Sequence, residues 1–162
     1  MLLSFLSLVL TASLSSCGFH LRGETPLPFA KMYVSGEASS LTLGQLKQTL
    51  ASMPHTQLVT KSDQAEANLQ IVSEQREKVI SALSAAGRVW EYELRFRVTF
   101  RLTDNKANEL IPSSSIALFR LVSYSDTQIL SKGDEEALLY SDMQSDAVQQ
   151  IVRRVAAAKA HG

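Results

Sequence analysis

The chain holds one cysteine, Cys17, so no internal disulfide braces it, and its compartment cannot be read from cysteine pairing. Net charge is also missing. Sixteen Lys and Arg balance 16 Asp and Glu, which removes the broad attraction that draws basic proteins to nucleic acid or to bare anionic surfaces. Histidine is scarce: His20, His55 and His161 stand far apart, none with a second histidine or a cysteine at ligand spacing, so no metal site is expected. There is no glycine-rich phosphate loop and no G-x-S-x-G elbow, so neither a cofactor nor an enzymatic activity is expected. Internal repeats and low-complexity tracts are lacking too. What is present is apolar content, 45% over 162 residues, enough for one packed domain and too much for a disordered chain.

Part of that apolar share sits at the start. Met1 to Leu14 carries no charged side chain, yet the run is shorter than the roughly 20 residues that span a bilayer core. It fits the apolar core of a secretory signal, although the basic residues that usually precede such a core are lacking. Leu14-Ser15-Ser16-Cys17-Gly18 then resembles the lipobox of bacterial lipoproteins. The thiol takes up a diacylglyceryl group, the small residues before it admit the signal peptidase, and the freed amine can be acylated. Two or three chains anchor far better than one, because each buried methylene contributes about 0.8 kcal/mol. Gly18 in place of Asp favours the outer membrane, by resemblance to the enterobacterial sorting rule. The expected division is a cleaved signal over 1–16, a lipidated lead over 17–28 and one domain over 29–162.

Within the domain, Phe29 to Ser35 reads as a first strand ended by Gly36. Thr42 and Gln45 match a capping box, with Leu41 and Leu46 as its hydrophobic staple. Leu43, Leu46, Leu50 and Met53 give a buried helical stripe before Pro54 stops the helix. A polar linker leads to a strand opening at Asn68 to Val72, which is expected to run into solvent over Ser73 to Lys78. From Trp90 to Leu102 every even position is apolar and every odd one polar, the pattern of a strand with one buried and one wet face. Asp104-Asn105-Lys106 suggests a reversal, Ile116 to Tyr124 a returning strand, and Asp134 the cap of a long last helix buried along Leu139, Met143, Ala147, Ile151 and Val155. The order β-α-β-β-β-α predicts an α+β two-layer sandwich: a mixed four-stranded sheet with both helices on one face, opened by a parallel crossover.

Binding residues are expected on the wet face of the long strand, where Arg95, Arg97 and Arg101 recur roughly every 7 Å. Such a row can grip phosphates or carboxylates. Equally, it can be a solvated face partly neutralised by Glu91 and Glu93, whose charges discourage edge aggregation.

Cys17-Gly18-Phe19-His20-Leu21-Arg22-Gly23 resembles the opening of the LptE family of lipopolysaccharide-assembly lipoproteins. Glu91-Tyr92 before the alternating strand agrees with that family. So do Arg120, Ile129-Leu130-Ser131-Lys132, Met143, Asp146 and Ile151. The resemblance implies a non-enzymatic role. Proteins of this family plug the lumen of the outer-membrane β-barrel LptD, support its assembly and bind lipopolysaccharide in transit. Lys132, expected in the loop before the last helix, matches a family position associated with lipopolysaccharide binding. A second basic position falls near Ser84, where only Arg88 can substitute. Lys132, Arg88, Arg95 and Arg97 are therefore the expected lipopolysaccharide contacts. The other reading is a free periplasm-facing lipoprotein that captures a lipid or anionic glycan without a barrel. For the anchor, Cys17→Ala is expected to abolish incorporation of a fatty-acid analogue, and labelling that persists in the variant refutes the assignment.

Overall fold

The computed structural model describes residues 26–123 and 129–158, with side chains in the last helix from Gly133 onward. The signal stretch, Cys17 and most of the lead lie outside the described residues. The elements are β1 (Lys31–Ser35), α1 (Leu41–Ala51), β2 (Gln57–Leu58), a 3-10 turn (Ser62–Gln64), β3 (Ala67–Leu83), β4 (Val89–Asp104), β5 (Glu109–Ser123) and α2 (Ile129–Ala157). They form one sheet in the order β2-β1-β3-β4-β5. β1 runs parallel to both its neighbours, while β3, β4 and β5 make an antiparallel meander.

The α+β sandwich is as expected, but the sheet has five strands and not four. The extra one, β2, lies in the stretch read as a polar linker. Two residues are too few to show a period, and β2 is held by its backbone: Gln57 N donates to Ala30 O at 2.8 Å and Val59 N to Met32 O at 2.9 Å.

Alternation along β4 decides which side is the interior. Leu94, Phe96, Val98, Phe100 and Leu102 are fully buried, while Arg95, Arg97 and Arg101 are exposed. Against the buried row pack Leu43, Leu46 and Leu50 of α1 and Met143, Ala147, Val148, Ile151 and Val155 of α2. Burying each large apolar side chain stabilises by about 1.5–3 kcal/mol. Trp90 departs from the pattern. It was expected in the buried row but is 61% exposed, because a 16-residue strand outruns its apolar cover and the register slips beside it, between Ala82 and Leu83.

Both helix starts differ from expectation. Ser40, and not Thr42, caps α1, its Oγ accepting from Leu43 N at 3.1 Å. Thr42 is buried in the first turn, and Leu41 is 59% exposed, so the staple is not made. The reason is Glu74 of β3. Its carboxylate takes Ser40 Oγ at 2.6 Å and Thr42 N at 3.2 Å, supplying from the sheet an acceptor that a capping box would draw from Gln45. Gln45 turns instead to α2, donating to Ser145 Oγ at 2.9 Å. α2 begins at Ile129, so Asp134 lies in its second turn rather than at its cap, and Lys132 is helical rather than in a loop.

Ser73 to Lys78 does not run free into solvent either. A bulge at Val72 turns Glu74, Arg76 and Lys78 toward the helices. Arg76 donates to Gln144 Oε1 at 2.9 Å and stacks over Phe96 and Tyr140. Lys78 meets Glu136 at 2.6 Å above the Tyr92 ring, and Tyr140 OH donates to Glu77 O at 2.7 Å. Polar and cation–π contacts continue the interface where the apolar stripe ends.

The two hairpins share one turn. Ser84 N donates to Arg88 O and Gly87 N to Ser84 O, with Gly87 at φ +75°. Asp104 N donates to Asn108 O and Ala107 N to Asp104 O, with Ala107 at φ 64°. The left-handed position costs a non-glycine residue about 1–2 kcal/mol. Asp104 offsets this by accepting from Lys106 N and Asn108 N, each at 2.8 Å.

Ala107→Gly is therefore expected to raise stability by about 0.5–1 kcal/mol in urea unfolding, and a lowered midpoint contradicts the turn assignment. Glu74→Ala is expected to cost about 1–2 kcal/mol at neutral pH. Burial alone would raise the Glu74 pKa, but hydrogen bonds from Ser40 and Thr42 and the charge of Arg76 outweigh it and hold the group below its ordinary range. The ionised form therefore stabilises the fold above about pH 4.5, and that contribution is lost as pH falls through the lowered pKa. The gap between wild type and variant should narrow in acid, and a gap independent of pH would show that the carboxylate charge is not involved.

Candidate functional site

The helices cover one face of the sheet, and among the described residues no helix or second sheet covers the other. β3, β4 and β5 place Gln75, Arg97 and Ala117 in one cross-strand row, Glu77, Arg95 and Phe119 in the next, and Val79, Glu93 and Leu121 in a third. The three arginines expected to act together differ in state. Arg95 is tied to Glu93 through Nε at 2.5 Å, which raises its pKa further, first through that hydrogen bond and then through the charge. Arg101 Nε donates to Gln70 Oε1 at 2.8 Å. Arg97 makes no ion pair or side-chain hydrogen bond among the described residues. A shallow pocket of about 250 Å³ lies here, lined in part by Glu77, Glu93, Arg95, Arg97, Ala117 and Phe119. The open face thus carries one unengaged guanidinium within a largely self-neutralised row.

Phe119 is 60% and Leu121 51% exposed on this same face. They were not singled out from the sequence, although the signal was there. Ile116-Ala117-Leu118-Phe119-Arg120-Leu121-Val122 is apolar at both parities, which marks a strand with something to cover on each side.

The other expected contacts lie elsewhere. Arg88 closes the β3–β4 turn, where its backbone N donates to Ser84 Oγ at 3.2 Å. Lys132 belongs to the first turn of α2, in the helical layer, and its side chain lies outside the described residues. Arg95 and Arg97 occupy the opposite side of the sheet, so the four do not form one cluster. The hairpin end is apolar as well, with Ile80 57%, Leu83 58% and Trp90 61% exposed.

Two residues that carried the family resemblance do meet. Arg120 of β5 reaches Asp146 of α2 at 2.8 Å, 26 positions apart, and pins the helix to the outermost strand. Among the described residues no group of three His, Cys, Asp or Glu side chains could hold a metal ion, and no helix is long and apolar enough to cross a membrane. Glu91 accepts from Ser81 Oγ at 2.9 Å on the surface.

The described residues form a helix-covered mixed sheet with a long antiparallel meander, and comparison with known proteins gives the family to which this architecture belongs. The family model described as lipopolysaccharide-assembly, LptE, matches residues 29–155. The chain belongs to the LptE family. A lipoprotein B of Nitrosomonas europaea, solved by NMR and described as uncharacterized, is 42% identical; the match covers 86% of this chain and 91% of that one with a TM-score of 0.76. Rare lipoprotein B of Shewanella oneidensis (20% identity, 78% and 94% covered, TM-score 0.69) and a minor lipoprotein of Acinetobacter baumannii (21%, 82% and 94%, 0.65) share the fold. No curated protein matches.

Proposed function

We propose that the chain is an outer-membrane lipoprotein, anchored through acyl chains on Cys17 after removal of residues 1–16. It plugs an LptD-type β-barrel, supports the assembly of that barrel, and binds lipopolysaccharide on its way to the cell surface. The observation that carries this reading is the family match over residues 29–155, joined to a lipobox-like Leu14-Ser15-Ser16-Cys17 placed to tether that domain. The surface chemistry agrees with it. A module whose outward faces are mostly polar suits the polar lumen of a wide barrel. Lipid A carries phosphates, which suit cationic side chains, and Lys132, Arg88, Arg95 and Arg97 are proposed to supply these. Because the four lie on different layers, lipopolysaccharide is proposed to meet Lys132 and Arg88 separately from Arg95 and Arg97. The role is proposed to be non-enzymatic.

The test is purification of the tagged, lipidated chain from detergent-solubilised envelopes. A barrel of the LptD type should be recovered at near-equal stoichiometry, and its absence overturns the plug role. In the same preparations Lys132→Glu should weaken lipopolysaccharide binding by about fivefold or more, and unchanged affinity removes Lys132 from the contact set.

A further inference from the structure

β5 ends the sheet. Its 15 residues pair with β4 along one side, and among the described residues no strand pairs with the other. Long free edges are usually blunted by lysine, proline or inward charge. Here the stretch from Ser113 to Ser123 carries one charged residue, Arg120, and Asp146 holds it at 2.8 Å. Pro112 precedes that stretch, at the register shift between Phe100 and Leu102 on β4. The edge is therefore long, its one charge from Ser113 to Ser123 already engaged by Asp146, and it is flanked on the open face by the exposed Phe119 and Leu121.

The chemistry of the edge selects its occupant. A row of backbone donors and acceptors at two-residue spacing needs the same row in return, which lipid chains cannot offer and an extended polypeptide can. The side chains specify it further. Arg97 has no counter-ion among the described residues and stands opposite Ala117 on β5. A pocket of about 250 Å³ beside this pair is lined from three strands, by Gln75 and Glu77 of β3, Arg97 of β4, and Ala117 and Phe119 of β5 among others. A strand added about 4.8 Å beyond β5 brings a carboxylate in the Arg97–Ala117 row within reach of that guanidinium. Two residues along, an apolar side chain would lie beside Phe119.

We infer that the free edge of β5 takes an extended segment of the barrel partner as a sixth strand, with Asp or Glu facing Arg97 and an apolar residue beside Phe119. This deepens the barrel reading and rests on it, and it assigns Arg97 to the barrel segment rather than to lipopolysaccharide. A second copy of this chain is the competing occupant. It would bring another Ser113–Ser123 edge, which has no carboxylate to offer Arg97.

The test co-expresses the full lipidated chain with the LptD-type barrel of the same organism. Ala117→Lys and Phe119→Lys should each lower barrel recovery by about tenfold without shifting the thermal midpoint of the purified chain. Leu41→Lys and Trp90→Lys alter apolar side chains of like exposure elsewhere and should leave recovery within about twofold. A photo-crosslinker at Leu121 should map to one stretch of the barrel holding an acidic residue, and reversing that residue should restore binding to Arg97→Glu. Wild-type recovery by both β5 variants overturns the sixth strand and leaves the barrel reading intact. Crosslinks only between copies of this chain overturn it in favour of self-pairing. Failure of the wild type to recover any barrel overturns both.

Discussion

Strands β3 and β4, at 17 and 16 residues, extend on the order of 50 Å at about 3.3 Å per residue. That length governs the rest of the molecule, because one buried face must be covered along it. Leu94 to Leu102 receive the apolar stripes of both helices. Farther along, Arg76, Lys78, Tyr92, Glu136, Tyr140 and Gln144 take over, through ion pairs, ring contacts and hydrogen bonds. The Lys78 pKa is raised, chiefly by its hydrogen bond to Glu136, so Lys78 is fully charged at neutral pH. An exposed pair of this kind contributes modestly to stability. Its greater effect is on geometry: it holds α2 along the meander past the point where grease alone would.

How far this architecture could be read from the residues depended on length of signal. β4 declared itself through strict alternation, and α2 through a stripe from Leu139 to Val155 that is buried except at partly covered Leu139. Helix, strand and hairpin order followed, along with the mixed pairing. β2 escaped because a two-residue strand is defined by the backbone it meets. The caps of α1 and α2 escaped for other reasons. At α1 the local motif at Thr42 offered a plausible start, but Glu74, more than 30 residues away, supplied acceptors that no local pattern encodes; at α2 the helix simply begins at Ile129, ahead of Asp134. The polarity of Ser73 to Lys78 was read correctly and its consequence was not, since charged side chains pack on rings and helix termini as well as dissolve in water.

For the surface, the sequence located the arginine row and the structure sorted it. Spacing on a strand says which side chains share a face, but not which are already engaged. Glu93 and Gln70 remove Arg95 and Arg101 from the unengaged set, and only the three-dimensional neighbours reveal that. Conversely, Lys132, in the first turn of α2, and Arg88, in the β3–β4 turn, lie apart from the row that carries Arg95 and Arg97.

A sheet packed on one side divides its residues into two populations with different freedoms. Side chains under the helices are bound by volume, since each change there opens a void or forces a clash. Those on the bare side touch little and can be exchanged at small cost to folding. One half of every strand can thus drift in sequence while the other holds the shape. This suits a fold that the solved lipoproteins of Shewanella and Acinetobacter share at 20% and 21% identity, with the shape held by the residues under the helices.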